Sequence, residues 1–236
     1  MKRFFTVIMA ALLVAPFLQS CNTADTEQPQ NMVLASVIPY MYSNAGFACL
    51  LDNDQTIYPG RVRINYEVNQ DMVQRAIIYF SELNEPVQGF TYNADIFNIV
   101  NVTTKEIEIL SDPAVDTLTT PLQVNQIVLG GNYFNVDFSA KIDPYATKQY
   151  VTISLIDNQI SGKPEYGEYY PLELKLKCTP DVEGKGGQLV NSMACFAVGN
   201  LDSNTLKRLG CKGYKITYKD INSDTGDTKS IIIPVN

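Results

Sequence analysis

Apolar and polar residues alternate in short runs along most of this chain, and turn-forming residues separate each run from the next. In YYPLELKLKC, residues 169–178, Leu172, Leu174, Leu176 and Cys178 share one face, and Glu173, Lys175 and Lys177 share the other. A repeat of two suits a half-buried strand and cannot build the apolar stripe of a helix. Val, Ile, Thr and Tyr recur in these runs, and such side chains pack well on a pleated surface. The pattern predicts an all-β protein.

The first group of runs is MVLASVI (32–38), FACLL (47–51), RVRINYEV (61–68), VQRAIIYFSEL (73–83), FTYNADIFNIVNV (90–102) and KEIEIL (105–110). Turn signals lie between them at Ser43-Asn44, Asp52-Asn53-Asp54, Pro59-Gly60 and Asn84-Glu85-Pro86. So many strands in so short a span suit a small closed barrel, placed at residues 32–112. Residues 113–121, polar and proline-bearing, read as a linker. Seven further runs over 122–236 point to a β-sandwich. LDSNTLKRLG (201–210) interrupts them, with Asp202 or Ser203 able to cap a helical turn that Gly210 ends.

The N-terminus has a different character. Lys2 and Arg3 precede the apolar stretch of residues 4–18, which has the length and shape of an export signal. It ends in Leu18-Gln19-Ser20-Cys21, which resembles a bacterial lipobox. That resemblance implies cleavage after residue 20 and lipidation of Cys21. Several acyl chains, each contributing roughly 0.8 kcal/mol per buried methylene, anchor a protein stably in a bilayer. Residues 21–31 then form a polar tether.

Composition excludes several classes of function. The full chain carries a net charge of −7, and removal of Lys2 and Arg3 with the signal makes it more acidic still. An acidic surface is repelled by phosphate backbones, so nucleic acid is not an expected partner. The 236 residues contain no His, which rules out Ser-His-Asp, Cys-His and His-ligated zinc chemistry.

Four pieces of the chain, taken in order, resemble the NigD-like lipoproteins of the Bacteroidetes. They are Cys21, GFACLLDNDQTIYPG (46–60), QRAIIYFSEL (74–83) followed by NADIFNIVNVTTKEI (93–107), and NQIVLGGNYFNVDFSAKI (125–142). The resemblance implies an N-terminal OB-like barrel and a C-terminal immunoglobulin-like β-sandwich. It implies no catalytic residues and no cofactor, and a role such as immunity to a bacteriocin. Three cysteines crowd the second domain here, which is not a feature the resemblance accounts for.

Each remaining candidate has a structural reading beside its functional one. Cys49, Cys178, Cys195 and Cys211 are either buried thiols or disulfides of an exported domain. If Phe196 and Val198 point inward, Cys195 points out, which disfavours a bridge from it to Cys178. Their spacing does not suit zinc. In DINSDTGD (220–227), Asp220, Asn222, Asp224 and Asp227 half-resemble a calcium loop, but the glycine is displaced and Ile231 stands where a bidentate Glu belongs. A solvated hairpin turn is the expectation. Asp52 and Asp54 are likewise read as turn residues rather than an acid/base pair.

Tyr40, Tyr42, Tyr166, Tyr169 and Tyr170 form two clusters that could stack on sugars or anchor a protein partner, or face a core instead. Asp116-Thr117-Leu118 resembles the acceptor triplet for O-glycosylation in exported Bacteroidetes proteins, with Thr117 as the modified residue. The chain is therefore expected to be a lipid-anchored protein of the cell envelope, in the outer membrane, with a non-enzymatic binding role toward a protein partner. The alternative is a glycan-binding accessory lipoprotein, which the lack of Trp weakens. Tyrosines lining a groove would favour glycan, and a flat apolar patch would favour a protein.

Overall fold

The computed structural model describes residues 28–235, apart from position 71 and segments 113–119, 144, 146–148, 161–166, 180–186 and 223–226. Cys21, Thr117 and Tyr166 lie outside the described residues.

Five strands close the first barrel: β1 (Asn31–Pro39), β2 (Phe47–Leu51), β3 (Thr56–Val62), β4 (Gln74–Glu82) and β5 (Tyr92–Asn101). Their order around it is β1-β2-β3-β5-β4. All neighbours are antiparallel except β3 and β5, which run parallel. Closure removes the open strand edges that a five-stranded sheet would otherwise expose. Alternate residues fill the interior: Ala35 and Val37 from β1, Ala76, Ile78 and Phe80 from β4, and Ala94 and Ile96 from β5, all 2% exposed or less.

The run RVRINYEV, expected as one strand over 61–68, is only half a strand. Pairing stops at Val62, and Arg63 adds a last backbone bond to Ile96. Beyond it the alternation persists, because Ile64, Tyr66 and Val68 still pack on the barrel core. Those residues cover the barrel as an irregular flap, so the period of two reflects burial on one side without a partner strand.

KEIEIL was also expected in the barrel. It divides instead into β6 (Thr103–Glu106) and β7 (Glu108–Leu110), which join opposite sheets of the sandwich. The change from one domain to the other thus falls at Val102, ahead of the proline-bearing segment. One sheet has the order β6-β12-β9-β8 and the other β14-β13-β11-β10-β7. The remaining strands are β8 (Leu122–Gly130), β9 (Tyr133–Ile142), β10 (Tyr150–Asn158), β11 (Tyr170–Thr179), β12 (Gln188–Ala197), β13 (Gly213–Lys219) and β14 (Thr228–Pro234). Leu172, Leu174, Leu176 and Cys178 all point into the shared core, as their alternation predicts.

The helical interruption is present as α1 (Ser203–Leu209). Asp202 caps it, accepting a bond from the Thr205 amide at 2.8 Å, and Gly210 ends it with a left-handed φ of 75°. Among the described residues no helix is long and apolar enough to cross a membrane.

Candidate functional site

An exposed aromatic surface lies at one end of the barrel. After β1 the chain turns through Tyr40–Gly46, where the Tyr40 amide bonds the Gly46 carbonyl at 2.9 Å. Ser43 is buried inside this turn and donates its hydroxyl to the Phe47 carbonyl at 2.7 Å. The turn is therefore tightly held, yet its tip points outward: Met41 is 89% exposed and Tyr42 81%. Holding the backbone in advance lowers the entropy lost when such side chains bind a partner.

Behind the tip, the rings pack edge to face. Tyr40 meets Tyr42 at 5.7 Å and Phe90 at 5.5 Å, and Phe90 meets Tyr58 at 5.2 Å. This geometry favours aromatic pairs because ring edges are positive and faces negative. Three separate segments contribute, and only Tyr40 and Tyr42 were legible as candidates. Tyr58 and Phe90 join them because β3 runs parallel to β5, which brings the loop before β5 beside Tyr58.

The second tyrosine cluster does not extend this surface. Tyr170 is 2% exposed and sits in the sandwich, where its hydroxyl donates to Asp157 at 3.0 Å. Its place on the inner face of β11 corrects its reading as a surface residue. Tyr169 is half-buried.

A polar lock holds the two domains together. Arg75 lies beside inward-facing Ala76 on β4, so its side chain points out of the barrel, yet it is fully buried. The sandwich covers it. Its guanidinium pairs with Asp52 at 2.7 Å, donates to Ser36 at 3.0 Å and to Asn135 at 3.3 Å, and lies 5.0 Å from the centre of the Tyr133 ring. Asn135 completes the circuit by donating to Asp52 at 2.9 Å. Asp52, read from the sequence as a solvated turn residue, is instead a member of an interdomain network.

The described cysteines Cys49, Cys178, Cys195 and Cys211 are buried and not joined in disulfides. Cys195 does leave the sandwich core, opposite Asn135 on the outer face of its sheet. That face is covered by the barrel, which is why Cys195 is 0% exposed. Burial pushes the Cys49 thiol up to about 12 and raises Cys195 and Cys211 as well. None of these is poised as a nucleophile. Asp220 of the calcium-like loop pairs with Lys229 at 2.6 Å, and among the described residues no cluster could hold a metal.

Comparison with known proteins identifies the architecture. The NigD-like N-terminal OB domain matches residues 41–102, and the NigD-like C-terminal beta sandwich domain matches residues 107–234. No functionally curated protein matches the sequence. Similar solved structures include a protein of unknown function from Bacteroides vulgatus, 21% identical, with a TM-score of 0.64 over 87% of this chain and 90% of that one. A NigD-like immunity protein from Bacteroides caccae is 15% identical, with a TM-score of 0.56 over 85% and 91%. A proposed lipoprotein from Bacteroides fragilis is 13% identical, with a TM-score of 0.55 over 86% and 96%. At these identities the structures share the fold and nothing finer. With its barrel and sandwich matched in order over nearly the whole described chain, the protein belongs to the NigD-like family.

Proposed function

We propose that this is a lipid-anchored envelope protein that binds a protein partner through the barrel tip and catalyses no reaction. The observation that carries the reading is the exposure of Met41 and Tyr42 on a turn held rigid by Ser43, backed by packed rings. Exposed apolar anchors on a preorganised support are the usual centre of a protein interface. Successive edge-to-face contacts turn the rings in different directions, which leaves no common flat platform for sugars and favours protein over glycan.

Lipidation at Cys21 would hold this head on a membrane, with the outer membrane as the expected site and residues 22–31 as spacer. The fold shared with an immunity protein makes a secreted antagonist such as a bacteriocin a suitable partner class. Thr117 remains a glycosylation candidate, and intact mass of native material showing no added sugar would remove it.

The test is crosslinking of the native lipoprotein in its own membrane, followed by purification and mass spectrometry. One stoichiometric protein, lost when Met41→Ser and Tyr42→Ser are combined, supports the proposal. An unchanged partner in that variant moves the interface elsewhere, and a protein-free pull-down from challenged cells overturns the reading.

A further inference from the structure

A cavity lies at one end of the sandwich. It has a volume of about 450 Å³ and opens where β6 and β12 of one sheet face β7 and β10 of the other, with the 3-10 turn Gly199–Leu201 and α1 as its rim. That is within the range of small-ligand pockets and far larger than one water. Its walls are largely aliphatic, with Ile107, Ile109, Val198, Leu201 and Leu209 among them.

Asp157, at the end of β10, lines this cavity and is 3% exposed. Its two oxygens are in unequal states. Oδ2 accepts the Tyr170 hydroxyl at 3.0 Å and the Gln159 side-chain amide at 2.6 Å. Oδ1 is buried and has no hydrogen-bond partner. A buried acceptor left unpaired carries a desolvation cost of about 1–3 kcal/mol, and more when charged. Folding tolerates such a cost most readily where a ligand relieves it.

The walls also lack a compensating charge. Glu106, at the end of β6, brings a second carboxylate from the opposite sheet, and no Lys or Arg is among the described lining residues. An open-mouthed cleft with aliphatic walls and two acids suits an apolar stem with a cationic head. The state of Asp157 selects between the two common heads. A guanidinium binds best as a fork across both oxygens of a carboxylate, but Oδ2 already accepts two donors. A primary ammonium is a compact donor that can serve Oδ1 alone once the wall over that buried oxygen opens to admit it.

We propose that this cavity binds a primary alkylammonium group, with Asp157 as its counter-ion and Glu106 as a second negative charge at the mouth. The group can come from a free aliphatic diamine or from a lysine side chain of a polypeptide. The site is on the sandwich, away from Met41 and Tyr42, so it stands or falls separately from the barrel-tip interface.

The test uses the full lipoprotein in detergent, titrated calorimetrically with 1,5-diaminopentane, with a short lysine-containing peptide, with its arginine counterpart, and with 1,5-pentanediol. Saturable binding of the diamine or the lysine peptide, with neither the diol nor the arginine peptide binding comparably, is the expected result. Which amine binds tighter identifies the source. Asp157→Asn should weaken the complex about tenfold or more, the scale of a lost charge-assisted hydrogen bond. Ile109→Trp, at a position 68% exposed, should block the cavity while leaving both acids in place. It decides the matter should Asp157→Asn fail to fold. Absence of saturable amine binding to the unaltered protein, equal affinity for the diol, or unchanged affinity in folded Asp157→Asn or Ile109→Trp would overturn the proposal.

Discussion

Arg75 and Asp52 both belong to the barrel, but their 2.7 Å pair is completed by the other domain, whose Asn135 bonds the second Asp52 oxygen at 2.9 Å. The arginine side chain is fully buried and the aspartate side chain 29% exposed. Such a pair contributes little if replaced by apolar residues of matched shape, but removal of one member leaves the other charge stranded.

Arg75→Met should therefore destabilise the protein by about 3 kcal/mol, the lower end of what breaking a buried pair costs, because Asp52 retains some water. Urea unfolding followed by tyrosine fluorescence and by circular dichroism would measure it. The two probes should also separate into distinct transitions as the domains uncouple. Coincident curves at the unaltered midpoint would contradict the lock.

Gly131 adjoins the same network. It and Asn132 have φ values of 57° and 64°, which form the tight turn joining β8 to β9. A Cβ on Gly131 would come 2.4 Å from Asp52 Oδ1. Gly131→Ala should cost about 1–3 kcal/mol through backbone strain and displacement of that carboxylate. Combined with Arg75→Met, the loss should be less than additive, because both changes disable Asp52. A thermal-melt cycle over the four proteins tests this.

A second acid makes stability pH-dependent. Asp95, 3% exposed on β5, accepts Arg63 on both oxygens at 2.9 and 2.6 Å and Arg61 at 3.2 Å. The Arg63 hydrogen bonds, outweighing burial and aided by the charges of Arg63 and Arg61, hold its carboxyl below the ordinary carboxylate value. A folded value below the unfolded one stabilises above the unfolded value and is lost as pH falls through the folded one. Asp95→Asn should thus cost about 2 kcal/mol at pH 7, the scale of charged hydrogen bonds. The deficit should shrink below about pH 4, where the unfolded carboxyl begins to take up its proton. Urea midpoints of both proteins at pH 7 and pH 3 would show a gap that narrows, whereas a constant gap would be the contrary outcome.

The thiols should be silent in the native state. At pH 8, Cys49, Cys178, Cys195 and Cys211 should resist alkylation for as long as the fold persists and react together in urea. A reductant should leave the melting temperature unchanged. A downward shift would reveal a disulfide.

Legibility in the sequence followed the reach of each interaction. Strand periodicity is local, so Leu172, Leu174, Leu176 and Cys178 declared their inward face, and Gly210 marked the end of α1, while the choice of Asp202 over Ser203 as its cap came from the structure. Sheet membership is not local. Glu106 and Glu108 are two residues apart and look like one strand, but lie in opposite sheets because their partners, β12 and β10, come much later. The burial of Arg75 and Cys195 was illegible for the same reason: both sit on outward faces, and only docking of the domains covers them. Half of the barrel-tip cluster was visible in Tyr40 and Tyr42, whereas Tyr58 and Phe90 needed the topology.

The split of residues 103–110 also sets an order of events in time. Every pairing that closes the barrel lies between Asn31 and Asn101, so a chain emerging from its N-terminus can complete that domain at once. Thr103–Glu106 must then wait for Ala194–Ala197 before it has a partner. Until those residues arrive, the waiting strand has no partner on that edge. A product ending before β12 leaves that strand unpaired and should be cleared by pulse proteolysis where the full chain survives.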